Sequence, residues 1–173
     1  MGTFTFNPAL INIQDMIRLR LSEHDIIIKS KSLNIQDAYA PKLPPVLTDR
    51  KLLYIVLQNI ILNSIKYTPA NGSINISVSC KSKGERINDK NVPKDCILIV
   101  VSDTGYGISK EEHKKIFTKL FRTSTVRKID TDGTGLGLYL SRAIVDHLDG
   151  ELWFTSELGK GSTFYVTIPT TNK

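Results

Sequence analysis

Hydrophobic and polar positions alternate along the chain in a way that divides it into a few elements. From residue 8 to residue 22, Leu10, Ile11, Ile13, Ile17, Leu19 and Leu21 fall on a mostly helical spacing, and Pro8 suits a first turn, so a helix is predicted. Ile26-Ile27-Ile28 and Leu33-Asn34-Ile35 predict short strands. Pro41, Pro44 and Pro45 then forbid a regular element until Thr48 and Asp49 offer a helix N-cap. A second helix runs from about Lys51 to Tyr67 and stops before Pro69-Ala70-Asn71-Gly72. Ile74, Ile76, Val78 and Cys80 alternate with Asn75, Ser77 and Ser79 as in a half-buried strand, and the unbroken run from Ile97 to Val101 predicts a fully buried one. Lys81 to Asp95 reads as a polar loop between them. Residues 108–132 are polar, basic and weakly periodic, which predicts a long mobile segment. A helix from Leu136 to about His147 with a C-cap at Gly150 follows. Glu151 to Thr155 and Ser162 to Ile168 form a last hairpin turning through Gly159-Lys160-Gly161. There is no internal repeat.

Composition narrows the class. A chain of 173 residues with 40% hydrophobic content suits one globular domain with a core and excludes disorder throughout. Its 23 Lys and Arg against 17 Asp and Glu give a net charge of +6, which favours anionic partners without choosing among nucleic acid, acidic membranes and phosphates. No apolar run is long enough to span a bilayer, and Met1-Gly2-Thr3-Phe4 lacks the basic start and apolar stretch of a signal peptide, so a soluble segment is expected. Cys80 and Cys96, with three scattered histidines, make neither a CxxC pair nor a metal cluster. They read as reduced core thiols of a cytoplasmic domain, with a hairpin-spanning disulfide as the alternative.

Candidate chemistry lies in four short blocks. On the second helix Asn59, Asn63 and Lys66 fall within about 60° of one another, while Leu57, Ile60, Ile61, Leu62 and Ile65 cover the rest of the cylinder. A polar stripe on a helix buried nearly all round needs a partner, and a metal with phosphate oxygens is one; two amides satisfying nearby backbone are another. Asp103 ends the apolar run 97–101, where a strand's carboxyl end commonly faces a ligand crevice; Gly105 and Gly107 let backbone approach closely. A carboxylate there can accept the exocyclic amine of adenine, or simply cap the strand through an Asx turn. Gly133-Thr134-Gly135-Leu136-Gly137 opens a helix whose N–H groups suit phosphate oxygens. Its spacing fits neither GxGxxG nor GxxxxGK[ST], which excludes the ordinary Rossmann and Walker readings.

Together, Asn59 to Tyr67, Asp103 to Gly107, Gly133 to Leu138 and Gly159 to Thr163 resemble the N box, G1 box, G2 box and terminal hairpin of the catalytic and ATP-binding domain of sensor histidine kinases. That domain belongs to a wider superfamily with gyrase, mismatch-repair and heat-shock chaperone ATPases. The resemblance covers about residues 4–169 and implies an α/β two-layer sandwich of the Bergerat type. One mixed sheet of about five strands would pack on about three helices, beneath a mobile ATP lid over residues 108–132. It divides the chain into a tail over residues 1–7, following an absent dimerisation and phosphoacceptor hairpin, a catalytic domain over 8–169, and a C-terminal tail over 170–173.

The resemblance also implies roles. Asn63 would ligate Mg²⁺, Lys66 would reach phosphate, Tyr67 would pack by the ribose and base, and Asp103 would bind adenine with Thr163 supporting it. Gly105, Gly107 and Ile108, and Gly133, Thr134, Gly135, Leu136, Gly137 and Leu138, would complete the ATP site. In the lid, Ile116 to Arg122 resembles the F box, with Leu120 at the usual second aromatic position and Phe121 beside it; Arg122 is the candidate for the γ-phosphate. The lid's other cations, Lys110, Lys114, Lys115, Lys119, Arg127 and Lys128, read individually as a solvated surface. In hydrolysing relatives a glutamate general base stands at the position of Asn59. An amide cannot take a proton from water, so Asn59 favours phosphoryl transfer over hydrolysis. A hydrolytic ATPase and a non-catalytic nucleotide-binding module are the alternatives. His24, expected on a strand edge, His113 and His147 do not match the family's phosphoacceptor motif, so the acceptor is expected on a separate histidine-bearing dimerisation domain, with a response regulator downstream. The basic residues lack interleaved aromatics, so no nucleic-acid role is expected, and the isolated domain is expected to be a monomer.

Overall fold

The computed structural model describes residues 7–130 and 133–170; residues 1–6 of the expected 1–7 tail, residues 171–173 of the expected 170–173 tail, and lid residues 131 and 132 lie outside the described residues. Pro8 opens a strand, β1 (Pro8–Ile11), and not the predicted helix. It pairs antiparallel with residues 46–49, in the stretch expected to lack a regular element. The helix α1 (Ile13–Glu23) starts one turn later, where the Asn12 side chain accepts from the Asp15 N–H at 3.4 Å. Ile26-Ile27-Ile28 also departs from expectation and lies in a short helix, α2 (Asp25–Ser30), none of whose residues is buried. With no strand to pair with, the β-branched run follows the local bonds Ile28 N–H to His24 O and Lys31 N–H to Ile27 O, at 3.0 and 3.1 Å. His24 therefore joins two helices.

Next come β2 (Asn34–Tyr39), β3 (Val46–Asp49), which pairs with β1, and the long helix α3 (Arg50–Tyr67). Asp49 caps α3: its carboxylate accepts from the N–H groups of Lys51 at 2.9 Å, Leu52 at 3.0 Å and Asn7 at 2.7 Å. The main sheet is completed by β4 (Ser73–Lys81), and the expected polar loop carries a small hairpin, β5 (Arg86–Ile87) with β6 (Lys90–Asn91). Then follow β7 (Cys96–Asp103), the helices α4 (Ser124–Ile129) and α5 (Gly137–His147), and the terminal hairpin β8 (Glu151–Glu157) and β9 (Gly161–Pro169).

Five strands lie in the order β2-β4-β7-β9-β8; β2 and β4 are parallel and the other neighbours antiparallel. This is the expected mixed sheet in a two-layer sandwich. On one face, Ile74, Ile76, Val78, Ile97, Ile99, Val101, Phe164 and Val166 pack against α1, α3 and α5. Central α3 buries Leu52, Leu53, Val56, Leu57, Ile60, Ile61, Ser64 and Ile65. On the opposite face Ile87 and Val92, from the β5–β6 segment, cover Cys96, Leu98, Trp153 and Tyr165. Both cysteines are free; Cys96 is buried, and burial pushes its thiol up to about 11, whereas Cys80 is exposed and not the expected core thiol.

The end of α5 shows why a glycine follows it. Asp149, not Gly150, takes the left-handed turn, at φ 58°, and the Gly150 N–H closes onto Val145 O at 2.9 Å. A Cβ at Gly150 would lie 2.0 Å from Thr167 O on β9, so close helix–sheet approach selects glycine there. Among the described residues no helix is long and apolar enough to cross a membrane.

Burial alone would raise the Asp49 carboxyl, but the N–H groups of Leu52, Asn7 and Lys51 outweigh it and hold its pKa below the ordinary carboxylate value. Asp49→Ala is therefore expected to lower unfolding free energy by about 1–2 kcal/mol at neutral pH. A depressed carboxyl pKa contributes stability above the unfolded value and loses it as pH falls through the folded one, so the deficit should shrink below about pH 4. Urea unfolding at both pH values checks this, and a deficit independent of pH would remove the carboxylate from the explanation.

Candidate functional site

A cavity of about 370 Å³ opens at the edge of the helix layer, where α3, the loop after β7, the 116–130 segment and the turn before α5 meet. The stripe on α3 faces it: Asn59, Asn63, Lys66 and Tyr67 all line the wall. The two asparagines are used differently. The Asn59 amide donates to Gly137 O at 3.1 Å and Ser141 Oγ at 3.0 Å, bracing α3 against the first turn of α5. With its NH₂ group so committed, Asn59 has its Oδ1 left as an acceptor. The Asn63 side chain makes no hydrogen bond among the described residues, so its whole amide is on offer to a ligand.

Asp103 lies at the end of β7 with its carboxylate in the cavity wall. Oδ1 accepts from the N–H groups of Gly105 at 2.9 Å and Ser162 at 3.2 Å, and Oδ2 from the Ser64 hydroxyl at 3.3 Å. Burial pushes the carboxyl above its ordinary pKa, and these three donors work against that rise. Thr163 departs from its expected place. Register puts Ser162 opposite Asp103 and Thr163 opposite Ser102, so the Thr163 hydroxyl pairs with Ser102 Oγ at 2.8 Å, on the other face of the sheet. Ser162 takes the supporting role through its backbone.

The loop after Asp103 is clamped to the terminal hairpin. The Gly159 N–H donates to Tyr106 O at 2.7 Å and the Ile108 N–H to Ser156 Oγ at 2.8 Å, while the Tyr106 N–H reaches back to Tyr67 O at 3.2 Å. Gly107 has φ 67°, and a Cβ on it would lie 2.0 Å from Glu157 O. Gly107 and Ile108 line the cavity; Gly105 contributes only its N–H to Asp103.

Beyond Ile108 the expected lid has more structure than its weak periodicity predicts. It holds a 3-10 turn at His113–Lys115 and α4, capped by Thr123 Oγ1, which accepts from the Val126 N–H at 3.2 Å. Phe117 packs edge-on to Phe154 at 5.8 Å, anchoring the lid base. Phe121 lines the cavity, whereas Leu120 takes φ 62° and is 62% exposed, so the aromatic beside the F-box position is the one turned inward. Arg122 lines the cavity near Gly133, with Nη2 donating to Asp130 O. Asp130 Oδ2 in turn lies 3.5 Å from Lys66 Nζ and 3.2 Å from Tyr67 OH. Burial, with Asp130 beside it, pushes the Tyr67 hydroxyl up to about 12. Gly133, Thr134, Gly135, Gly137 and Leu138 close the far side of the cavity; Leu136 does not line it.

A model of the histidine kinase-, DNA gyrase B- and HSP90-like ATPases matches residues 48–172. The chain belongs to this family. Within it the chain is a catalytic domain of the histidine kinase type: it is 38% identical over 142 residues to the adaptive-response sensory kinase SasA of Synechococcus sp. (strain JA-3-3Ab), covering 82% of the chain and 34% of that kinase. The catalytic domain of histidine kinase ThkA superposes with a TM-score of 0.76 at 26% identity, covering 97% of each chain. Full-length ShkA in complex with AMPPNP shares the fold, with a TM-score of 0.79 at 23% identity, covering 99% of this chain and 33% of that one. The chain thus spans about a third of the length of the curated kinases it matches.

Of the family's expected site residues, 13 of the 16 named from the sequence line the cavity, and Gly105, Leu136 and Thr163 do not. Ser64, Ser141, Ser156 and Ser162 were missed, because their work depends on register and helix contact that single-residue patterns do not carry. None of His24, His113 and His147 lines the cavity. The clamp itself is testable: Gly107→Ala should lower stability by roughly 1–3 kcal/mol through its left-handed backbone and its clash with Glu157 O. An unchanged urea midpoint would show that the loop relaxes without cost.

Proposed function

We propose that this domain binds Mg-ATP and transfers the γ-phosphoryl group to a histidine on a separate dimerisation domain of the same kinase, from which a response regulator is phosphorylated in turn. The observation that carries the reading is the convergence on one cavity of an adenine acceptor, an unpartnered amide and two cations, namely Asp103, Asn63, Lys66 and Arg122. Asp103 would accept the adenine amine, held by the Gly105 and Ser162 N–H groups so that its second oxygen keeps direction. Tyr67 would flank the ribose and base. Lys66, Arg122 and the 133–137 loop would balance the charge of the triphosphate.

The residues present fit Mg²⁺. Among the described residues no group of three His, Cys, Asp or Glu could hold a metal by itself, so a cation here needs phosphate oxygens, which is how Mg²⁺ commonly binds. Asn63 would hold it, beside Oδ1 of Asn59, and its charge would offset that of the phosphates. Asn59 lacks the basicity to activate water, and its NH₂ is committed to α5, which favours transfer to an imidazole over hydrolysis. The partner imidazole attacks phosphorus in line, forming an N–P bond as the bond to ADP breaks. The absence of a histidine from the cavity wall supports an acceptor brought by another domain. A monomeric isolated domain working in the cytoplasm, with no nucleic-acid ligand, accompanies this reading.

Two substitutions test it. Asp103→Asn should weaken ADP binding by about 1–3 kcal/mol, because an amide NH₂ in place of Oδ2 cannot accept from the adenine amine or the Ser64 hydroxyl; unchanged affinity by calorimetry would remove the adenine role. Asn63→Ala should abolish Mg²⁺-dependent transfer of labelled phosphate to a supplied histidine-hairpin domain while leaving metal-free ADP binding in place. Full retained transfer would refute the metal assignment.

A further inference from the structure

Lys66, Tyr67 and Arg122, which the nucleotide reading assigns to the phosphates and ribose, already share a partner. Asp130, at the C-terminal end of α4, meets Lys66 Nζ at 3.5 Å and Tyr67 OH at 3.2 Å through one carboxylate oxygen, and accepts from Arg122 Nη2 through its backbone carbonyl. Its side chain lines the cavity and is 19% exposed, so the contact sits inside the site and not on its rim. A carboxylate bridging a lysine and a tyrosine hydroxyl offers the oxygen acceptor and negative charge that a phosphate would offer them.

We propose that Asp130 is an internal anion whose carboxylate competes with the nucleotide's phosphates for Lys66, while it also holds the Tyr67 hydroxyl and, through its backbone carbonyl, Arg122, so that the lid sets nucleotide affinity by holding the phosphate-binding groups itself. Two anions cannot share one ammonium and one hydroxyl at contact distance in a partly desolvated pocket without repulsion. A triphosphate therefore enters by expelling the carboxylate, and the lid segment 124–130 moves with it, because the Arg122 to Asp130 carbonyl contact ties the residue to the same cation. The affinity observed for a phosphate-bearing ligand is then its intrinsic affinity reduced by the strength of the Asp130 contacts. Adenosine, which carries no phosphate to compete with the carboxylate at Lys66, escapes that reduction.

The inference rests on the nucleotide reading and is separable from it by calorimetry of the full chain, comparing the native protein with Asp130→Asn and Asp130→Ala. ADP and a non-hydrolysable ATP analogue should bind roughly two- to fivefold tighter to both variants, the size of a partly exposed ion pair, with adenosine unchanged. Equal affinity for the phosphate-bearing ligands overturns the proposal alone, and weaker binding overturns it by making Asp130 a ligand contact. Tightening that extends equally to adenosine also overturns it, since the effect would then lie outside the phosphate end. Failure of the native protein and both variants to bind any of the three ligands overturns the nucleotide reading and this proposal with it.

Discussion

Helix α3 is the constraint on which the rest depends. Eight of its eighteen residues are buried against α1, α5 and the sheet, so it cannot rotate or slide without moving the core. A polar stripe on such a helix is costly unless it faces an opening, and the edge where the layers part supplies one. The stripe's fixed 3.6-residue geometry then becomes the geometry of the site: Asn59 and Asn63 stand one turn apart on the same rail, with Lys66 below. The core thus sets the positions of the amides to within the tolerance of packed side chains. That precision is what the proposed phosphoryl transfer would require of a protein that contributes no covalent step.

The two ends of the cavity are held by different means. At the Asp103 end most support comes from regular structure: Ser64 from α3, Ser162 from β9, and the 105–108 loop, whose Gly105 N–H also donates, pinned by β8 and the β8–β9 turn. At the other end the walls are α4 and the turn before α5, tied mainly through side chains of Asn59, Arg122 and Asp130. The expected adenine contact is accordingly built into the sheet, and the expected phosphate contacts are built on the exchangeable Lys66–Asp130 ion pair and on side-chain hydrogen bonds. A site arranged in this way can retain a purine while its phosphate end is rearranged.

The sequence carried the lining of the cavity better than the connections. Ile74 to Val78 was legible because its alternation reports which face of a strand is buried, Ile97 to Val101 because an unbroken apolar run reports burial on both faces, and the α3 stripe because its neighbours are apolar. Pro8–Ile11 and Ile26–Ile28 were misread since a few apolar residues fit either period; what decided them was pairing with β3 in one case and the lack of any strand partner in the other. The β5–β6 hairpin hid in a polar stretch because only Ile87 and Val92 turn inward. Thr163 was misplaced by a single residue of register, and with period two that moves a side chain to the opposite face of the sheet. Asp130 had no motif to announce it, since its importance comes from Lys66, 64 residues away.

Charge in the lid works on two scales. Lys110, Lys114, Lys115, Lys119, Arg127 and Lys128 are all exposed, and their contribution is a screened positive field around the mouth of the cavity. Arg122 alone among the lid's cations enters the wall, where desolvation makes each charge count for more. A field of that kind draws polyphosphates of any base toward the opening, so it cannot select among them. In the proposed reading, selection would come from the Asp103 carboxylate and the cavity shape, and commitment from the exchange of partners at Lys66. Division of the work between a distant field and a few buried contacts would let a surface rich in lysine serve a site whose proposed discrimination rests on one aspartate.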